Sequence, residues 1–155
     1  MKSFIHNRIH LIDYGKKSTT GLEYPDKEYI KSENVCRIIG NIRKILDKYM
    51  SDNSKESPEV VVNMEGISYG SVGSAALADL AGLNFAIRML LLEKGIRFRI
   101  VSPISLKLFA TNNAGASKEE MSWAWKLLDR EMGDIDKIKI DDLADAYFLC
   151  RYNSD

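Results

Sequence analysis

The stretch EVVVNMEG, residues 59–66, is a short and nearly continuous apolar run that ends on Glu65 and Gly66. A run of this kind predicts a strand that is buried on both faces of a sheet. Ligand crevices in open α/β sheets lie beyond the carboxyl ends of the strands. Glu65 is therefore either a carboxylate held in such a crevice or an ordinary strand end that reaches water.

Helix and strand patterns alternate along the rest of the chain. Helical spacing of apolar residues predicts helices over 27–49 and 74–95, and alternating residues predict a strand over 96–102 that ends at Pro103. A capping box from Ser117 to Glu120 opens a third predicted helix, over 116–132. This order predicts an α/β fold with a mixed sheet flanked by helices.

The N-terminal and C-terminal segments complete the predicted pattern. Residues 2–15 are predicted to form a β-hairpin with a turn near residues 6–8. Within the segment KIKIDDLADAYFLCRY, residues 137–152, a last helix is predicted to begin at about Asp141. With 155 residues, the chain suits a single domain spanning 1–155.

Composition restricts the class of protein only partly. The chain has 22 basic and 22 acidic residues, so it lacks the overall positive charge of many nucleic-acid-binding proteins, although a local basic surface is sufficient for DNA. Cys36 and Cys150 lie far apart without metal-ligand spacing, which indicates a reducing cytosol. The most apolar run is short and contains Arg88, so we expect no membrane span, and the first residues do not resemble a signal peptide.

Three aspartates occur together in the last predicted helix. Asp141, Asp142 and Asp145 are expected in its first turn, where acidic residues are favoured by the helix dipole and by capping. Asp142 and Asp145 share one face, where like charges repel each other. Capping and cation binding are both open interpretations. If this helix packs beside the strand that ends at Glu65, three carboxylates converge as ligands for a hard cation such as Mg²⁺.

Three segments together resemble the RuvC family of Holliday junction resolvases, and in particular its bacteriophage-encoded branch. They are VVVNMEGISYGS (60–71), VSPISLKLFATNNAGASKEEM (101–121) and IDDLADAYFLC (140–150). The resemblance implies an RNase H-like fold, a homodimer, and Mg²⁺-dependent cleavage of four-way DNA junctions in recombination and repair, with Mn²⁺ as a possible substitute. It also implies a cytoplasmic location, in a bacterial cell or a phage-infected host.

The resemblance assigns roles to particular residues. Glu65, Asp142 and Asp145 match three of the family's four catalytic, metal-binding carboxylates, and Asp141 then serves as the helix cap. Lys107 and Lys118, on either side of a glycine-containing loop, match lysines that contact DNA phosphates. Tyr69 matches an aromatic residue that stacks on bases at the junction.

The fourth carboxylate of the family lies on its first strand, and two interpretations of this chain remain. In one, Asp13, within LIDYGKKSTTGL (11–22), is that carboxylate. In the other, SFIHNRIHLIDYG (3–15) forms the family's second and third strands, and the first strand is missing. Two functions follow. The chain is a Mg²⁺-dependent, structure-selective endonuclease for branched DNA, or it is a catalytically impaired RNase H-like protein that binds branched DNA or assembles with partners.

Overall fold

The computed structural model describes residues 14–51, 59–68, 73–128 and 137–152. The elements within these ranges, in chain order, are α1 (Tyr24–Met50), β1 (Val61–Glu65), α2 (Ser74–Glu93), β2 (Arg97–Val101), α3 (Pro103–Thr111), α4 (Lys118–Leu128) and α5 (Lys137–Arg151). The alternation of helices and strands confirms the predicted α/β order. The predicted hairpin over 2–15 lies outside the described residues, apart from its last two.

β1 and β2 pair as a small parallel sheet, and α2 connects them along the chain. Parallel strands need such a crossover connection, which explains why two strand patterns are separated by a long helical one. Just past β1, the amide of Gly66 donates a hydrogen bond of 2.7 Å to the carbonyl oxygen of Val101. The structure thus has the predicted strand, helix and strand order, and the described part of the sheet is parallel rather than mixed.

The chain divides into two compact units. Two of the boundaries between them fall just after the first residue of β1 and just after the first residue of β2. One unit contains α1 and α2. The other contains α3, α4, α5 and all but the first residue of each strand. The expectation of one domain over 1–155 stays a prediction.

In the first of these units α1 packs against α2. Lys31 of α1 forms an ion pair of 3.0 Å with Asp79 of α2, and Arg43 lies 3.3 Å from Glu93. These pairs are solvent-exposed and contribute little individually. α1 starts three residues earlier than predicted because Pro25, which lacks an amide hydrogen, fits the first helical turn.

α2 extends well beyond the short apolar run around Arg88. Its 20 residues, Ser74–Glu93, have a mean hydropathy of 1.6 over an 18-residue window, of which 11% is buried. Among the described residues, α2 alone is long enough and apolar enough to cross a membrane, judged by length and composition only. A single such helix is weak evidence, and the expectation that the chain does not enter a membrane stays a prediction.

The second unit has a hydrophobic core that joins α3, α4 and α5 to β2. Its buried members are Val101, Leu106, Met121, Trp125, Leu143, Ala144 and Phe148. Trp125 is 4% exposed and Trp123 is 64% exposed, because helix residues two apart point in different directions. This core fixes the side of α5 that faces the rest of the unit.

The helix α3 was not predicted, because Pro103 was interpreted only as the end of a strand. Ser102 caps the helix by accepting a hydrogen bond from the Ser105 amide, and Pro103 occupies the first turn. The helix ends at Asn112, which adopts the left-handed conformation with φ of 57°. Lys107 therefore lies on α3, just before the glycine-containing loop.

Candidate functional site

Glu65 is the last residue of β1 and lies at the carboxyl end of the sheet, as predicted. The glycine that follows allows the chain to pass close to β2. A Cβ atom added to Gly66 would lie 3.3 Å from Cγ2 of Ile100 and 3.4 Å from the carbonyl oxygen of Val101. A side chain at position 66 would require Ile100 to shift by a few tenths of an ångström, so Gly66 suits the close approach of the two strands beside Glu65.

Asp142 and Asp145 lie on α5, whose opposite side is buried. Leu143, Ala144 and Phe148 of α5 belong to the core, whereas Asp142 is exposed and Asp145 is half-buried. The core packing of α5 thus determines which of its carboxylates reach the surface.

The position of the aspartates within α5 differs from the prediction. The helix begins at Lys137, so Asp141, Asp142 and Asp145 lie beyond its first turn. Asp141 is consequently not the N-cap. Its Oδ1 accepts a hydrogen bond of 2.9 Å from the hydroxyl of Ser122, a buried residue of α4. The cap interpretation of Asp141 was wrong because the apolar residues before it continue the helix pattern towards the N-terminus.

The electrostatics of Glu65 show that it lies near the carboxylates of α5. Loss of solvent around Glu65 raises the pKa of its carboxyl group, and repulsion from Asp145 raises it further. Asp142 adds a smaller repulsion, while Lys107 and Lys118 oppose the shift. Glu65 and Asp145 therefore belong to one electrostatic cluster.

Asp145 is perturbed in the same direction. Loss of solvent raises the pKa of its carboxyl group first, followed by repulsion from Asp142, and Lys118 lowers it. Glu65 and Asp145 repel each other when both are charged, and Asp142 adds to the repulsion on each of them. A cation near these groups would relieve the repulsion, so the charge distribution favours a bound positive charge.

The carboxylates are electrostatic neighbours but are not gathered around one point. Within the described ranges, no three His, Cys, Asp or Glu side chains form a group that could hold a metal ion. The donor set itself suits Mg²⁺, which prefers carboxylate oxygens and retains several waters. Asp13 and Tyr69 lie outside the described residues, so their predicted roles stay predictions.

Lys107 on α3 and Lys118 at the start of α4 both act on Glu65 and Asp145. Lys118 is exposed and Lys107 is partly exposed, as a DNA contact requires. The capping box uses the amides of Ser117 and Glu120, which bond to each other's side chains at 2.6 and 3.1 Å. These two amides at the start of α4 are therefore already hydrogen-bonded within the chain.

Sequence reasoning missed two polar residues that hold α5. Ser122 is the partner of Asp141, and Asn63 of β1 donates hydrogen bonds to the end of α5. A signal existed for Asn63, because an asparagine interrupts an otherwise apolar strand, where asparagine is disfavoured. Ser122 gave no comparable signal within its helical pattern.

The fold and the carboxylates together define an α/β protein with acidic groups at the carboxyl end of a parallel strand pair. A search of protein-family models found no match, and neither did a search of curated proteins. Among solved structures, the Thermus thermophilus RuvC structure is similar, with a TM-score of 0.54 and 20% sequence identity, over 78% of this chain and 70% of that chain. The chain therefore has a RuvC-like fold.

A pH-dependent test addresses the shared electrostatics of the cluster. Because the pKa of Asp145 is raised in the folded state, the protonated carboxyl group favours folding. Its contribution to the free energy of unfolding is complete at low pH and is lost as the pH rises through the folded-state pKa. Asp145→Asn should therefore raise the midpoint of thermal unfolding at about pH 7 without divalent metal. We expect a gain of about 1–3 °C, since partly exposed charge interactions are worth less than about 1 kcal/mol.

The control is Asp26→Asn, at an exposed position in the first turn of α1, which should leave the midpoint unchanged or lower it slightly. The gain for Asp145→Asn should disappear at about pH 3, where the wild-type carboxyl is protonated in both states. A constant gain across this pH range, in a thermal scan of both variants, would show that relief of repulsion is not its cause.

Proposed function

We propose that this protein is a Mg²⁺-dependent, structure-selective endonuclease that hydrolyses phosphodiester bonds in four-way or otherwise branched DNA. The observation that carries the proposal is the electrostatic cluster of Glu65 and Asp145, beside Asp142, at the carboxyl end of β1 in a RuvC-like fold. Repelling carboxylates of raised pKa are common at functional sites.

In this proposal the carboxylates of Glu65 and Asp145 bind the metal, and Asp142 completes the set. A Mg²⁺ ion held by these residues, or Mn²⁺ in its place, would supply an activated water and neutralisation of the charge on the departing oxygen. Glu65 is held at a strand end and Asp145 on a packed helix, so both groups have little freedom to move. Asp142, which is exposed, can hold the attacking water in line by accepting a hydrogen bond from it.

Lys107 and Lys118 bind the DNA backbone beside the carboxylates. DNA phosphates and carboxylates repel each other, and two ammonium groups that already act on Glu65 and Asp145 reduce that repulsion. Phosphate contacts of this kind hold the DNA without reading its sequence. In the same proposal Tyr69 stacks on an exposed base, and Asp13 is the candidate for a fourth carboxylate.

The proposal also includes an oligomeric state, a cellular location and a biological role. A homodimer would place two such sites against the two strands that must be cut at a junction. The bacteriophage-type branch, the bacterial or phage-infected cytoplasm, and a role in recombination and repair belong to this proposal. They are supported by the sequence resemblance described above.

The test is cleavage of a synthetic four-way junction, with a linear duplex of the same sequence as the control. We expect paired cuts near the crossover with Mg²⁺, no cutting of the duplex, and no cutting with a chelator present. A chain that binds the junction but never cuts it, with either Mg²⁺ or Mn²⁺, would contradict the proposed endonuclease activity. That outcome would favour the catalytically impaired binding protein.

A further inference from the structure

Asn63, in the middle of β1, binds the end of α5 through its side-chain amide. Nδ2 donates one hydrogen bond of 2.7 Å to the carbonyl oxygen of Leu149 and another of 3.0 Å to that of Tyr152. Carbonyl groups at the end of a helix lack the usual partners within the helix. Asn63 thus uses both of its donors to connect the strand that carries Glu65 with the helix that carries Asp145.

The orientation of this amide is determined by α5. The Oδ1 atom of Asn63 is buried and has no hydrogen-bond partner in the part of the chain that the structure describes. Rotating the amide by half a turn would place Oδ1 against two carbonyl oxygens, which repel it. Burying Oδ1 without a described partner costs free energy. The two hydrogen bonds that Nδ2 donates offset that cost and explain why a polar residue is present here.

The contact lies a similar length along each element from the residue that carries the carboxylate. Glu65 follows Asn63 by two residues and therefore projects from the same face of β1, about 6–7 Å further along the strand. Asp145 precedes Leu149 by four residues and lies on the same face of α5, about 6 Å back along the helix. Asn63 and Glu65 therefore lie on one face of β1, and Leu149 and Asp145 lie on one face of α5.

We propose that Asn63 is a positioning residue that sets the separation of Glu65 and Asp145 by fixing the end of α5 to β1. This inference rests on the function proposed above, since the separation matters because both carboxylates bind one metal ion. Asn63 does not touch the metal in this account. Its two hydrogen bonds act on the metal only through the helix that they hold.

The test compares the wild-type chain with Asn63→Leu, which preserves the size of the side chain and removes both donors. One measurement is amide hydrogen exchange along α5 in the metal-free chain, which should become faster over its last turn. The other is the dissociation constant for Mn²⁺ by calorimetry, which should rise about 10–100-fold, as when residues that support a ligand are replaced. Asn63→Thr, which suits a strand but is too short to reach both carbonyls, should change both measurements in the same direction.

Ile96→Val is the control, because Ile96 is buried in the unit that contains α1 and α2. It should lower the unfolding midpoint without changing Mn²⁺ affinity, measured at a temperature where all variants are folded. Unchanged exchange in α5 would overturn the inference whether or not the protein cuts DNA. Faster exchange with unchanged Mn²⁺ affinity would overturn it too, by reducing Asn63 to a purely structural role.

The proposed function fails separately, because a wild-type chain that binds no Mn²⁺ contradicts it directly. In that case the positioning role is overturned as well, and exchange in α5 decides only whether the contact holds the helix.

Discussion

Glu65→Gln and Asp145→Asn should each reduce the rate of Mg²⁺-dependent junction cleavage by about 10³-fold or more. The change removes one negative charge and preserves the shape of each side chain. Stabilisation of the transition state by a bound metal is worth several kcal/mol, and each 1.4 kcal/mol or so corresponds to a factor of about ten in rate. The measurement is a single-turnover assay with a labelled four-way junction.

Junction affinity should be preserved or improved in both variants, because a carboxylate beside the DNA backbone repels phosphates. Glu59→Gln and Asp141→Asn are the matched controls. Glu59 forms a surface ion pair with Arg97 at 3.2 Å. Asp141 accepts a hydrogen bond from the Ser122 hydroxyl, and the side-chain oxygen of an asparagine can accept the same bond. Both controls should cut at close to the wild-type rate. Full activity in Asp145→Asn would exclude this residue as a metal ligand.

Reversing the charge of Lys107 and Lys118 together, to glutamate, should weaken junction binding by about 10–100-fold at moderate salt. Each lysine that contacts a phosphate releases counterions on binding. Its loss therefore lowers the slope of log affinity against log salt by about 0.9. A fluorescence anisotropy titration at several salt concentrations measures both quantities.

The control for this double variant must change the net charge by the same amount. Lys44→Glu with Lys48→Glu does so at two exposed positions of α1. If the control weakens binding and reduces the salt slope as much as the Lys107 and Lys118 variant, the effect is one of net charge. The two lysines near the carboxylates would then have no particular role in DNA binding.

The parts of the fold that depend on local pattern were predictable. β1, α2 and β2 follow from apolar runs and from the glycine after α2, and the capping box at Ser117 forms as expected. α3 was missed because a proline after a strand was considered only as a terminator. The same proline is well suited to the first turn of a helix.

The candidate site was predictable only in part. Glu65 could be placed because a strand end locates a residue along the chain, and Asp142 and Asp145 because three residues correspond to about one helical turn. The approach of α5 to β1 is a tertiary contact between residues 86 apart in sequence, Asn63 and Leu149. No local pattern determines such a contact, and the role of Asp141 likewise depended on a partner in another helix.

The central claim is that Glu65 and Asp145 bind the same metal ion, and diffraction from a crystal soaked in Mn²⁺ tests it most directly. Anomalous scattering identifies Mn²⁺ independently of the protein atoms. The account predicts an anomalous peak about 2.1 Å from a carboxylate oxygen of each residue, with Asp142 alongside. A crystal with saturating Mn²⁺ that shows no peak between Glu65 and Asp145, or a peak only elsewhere on the protein, would contradict it.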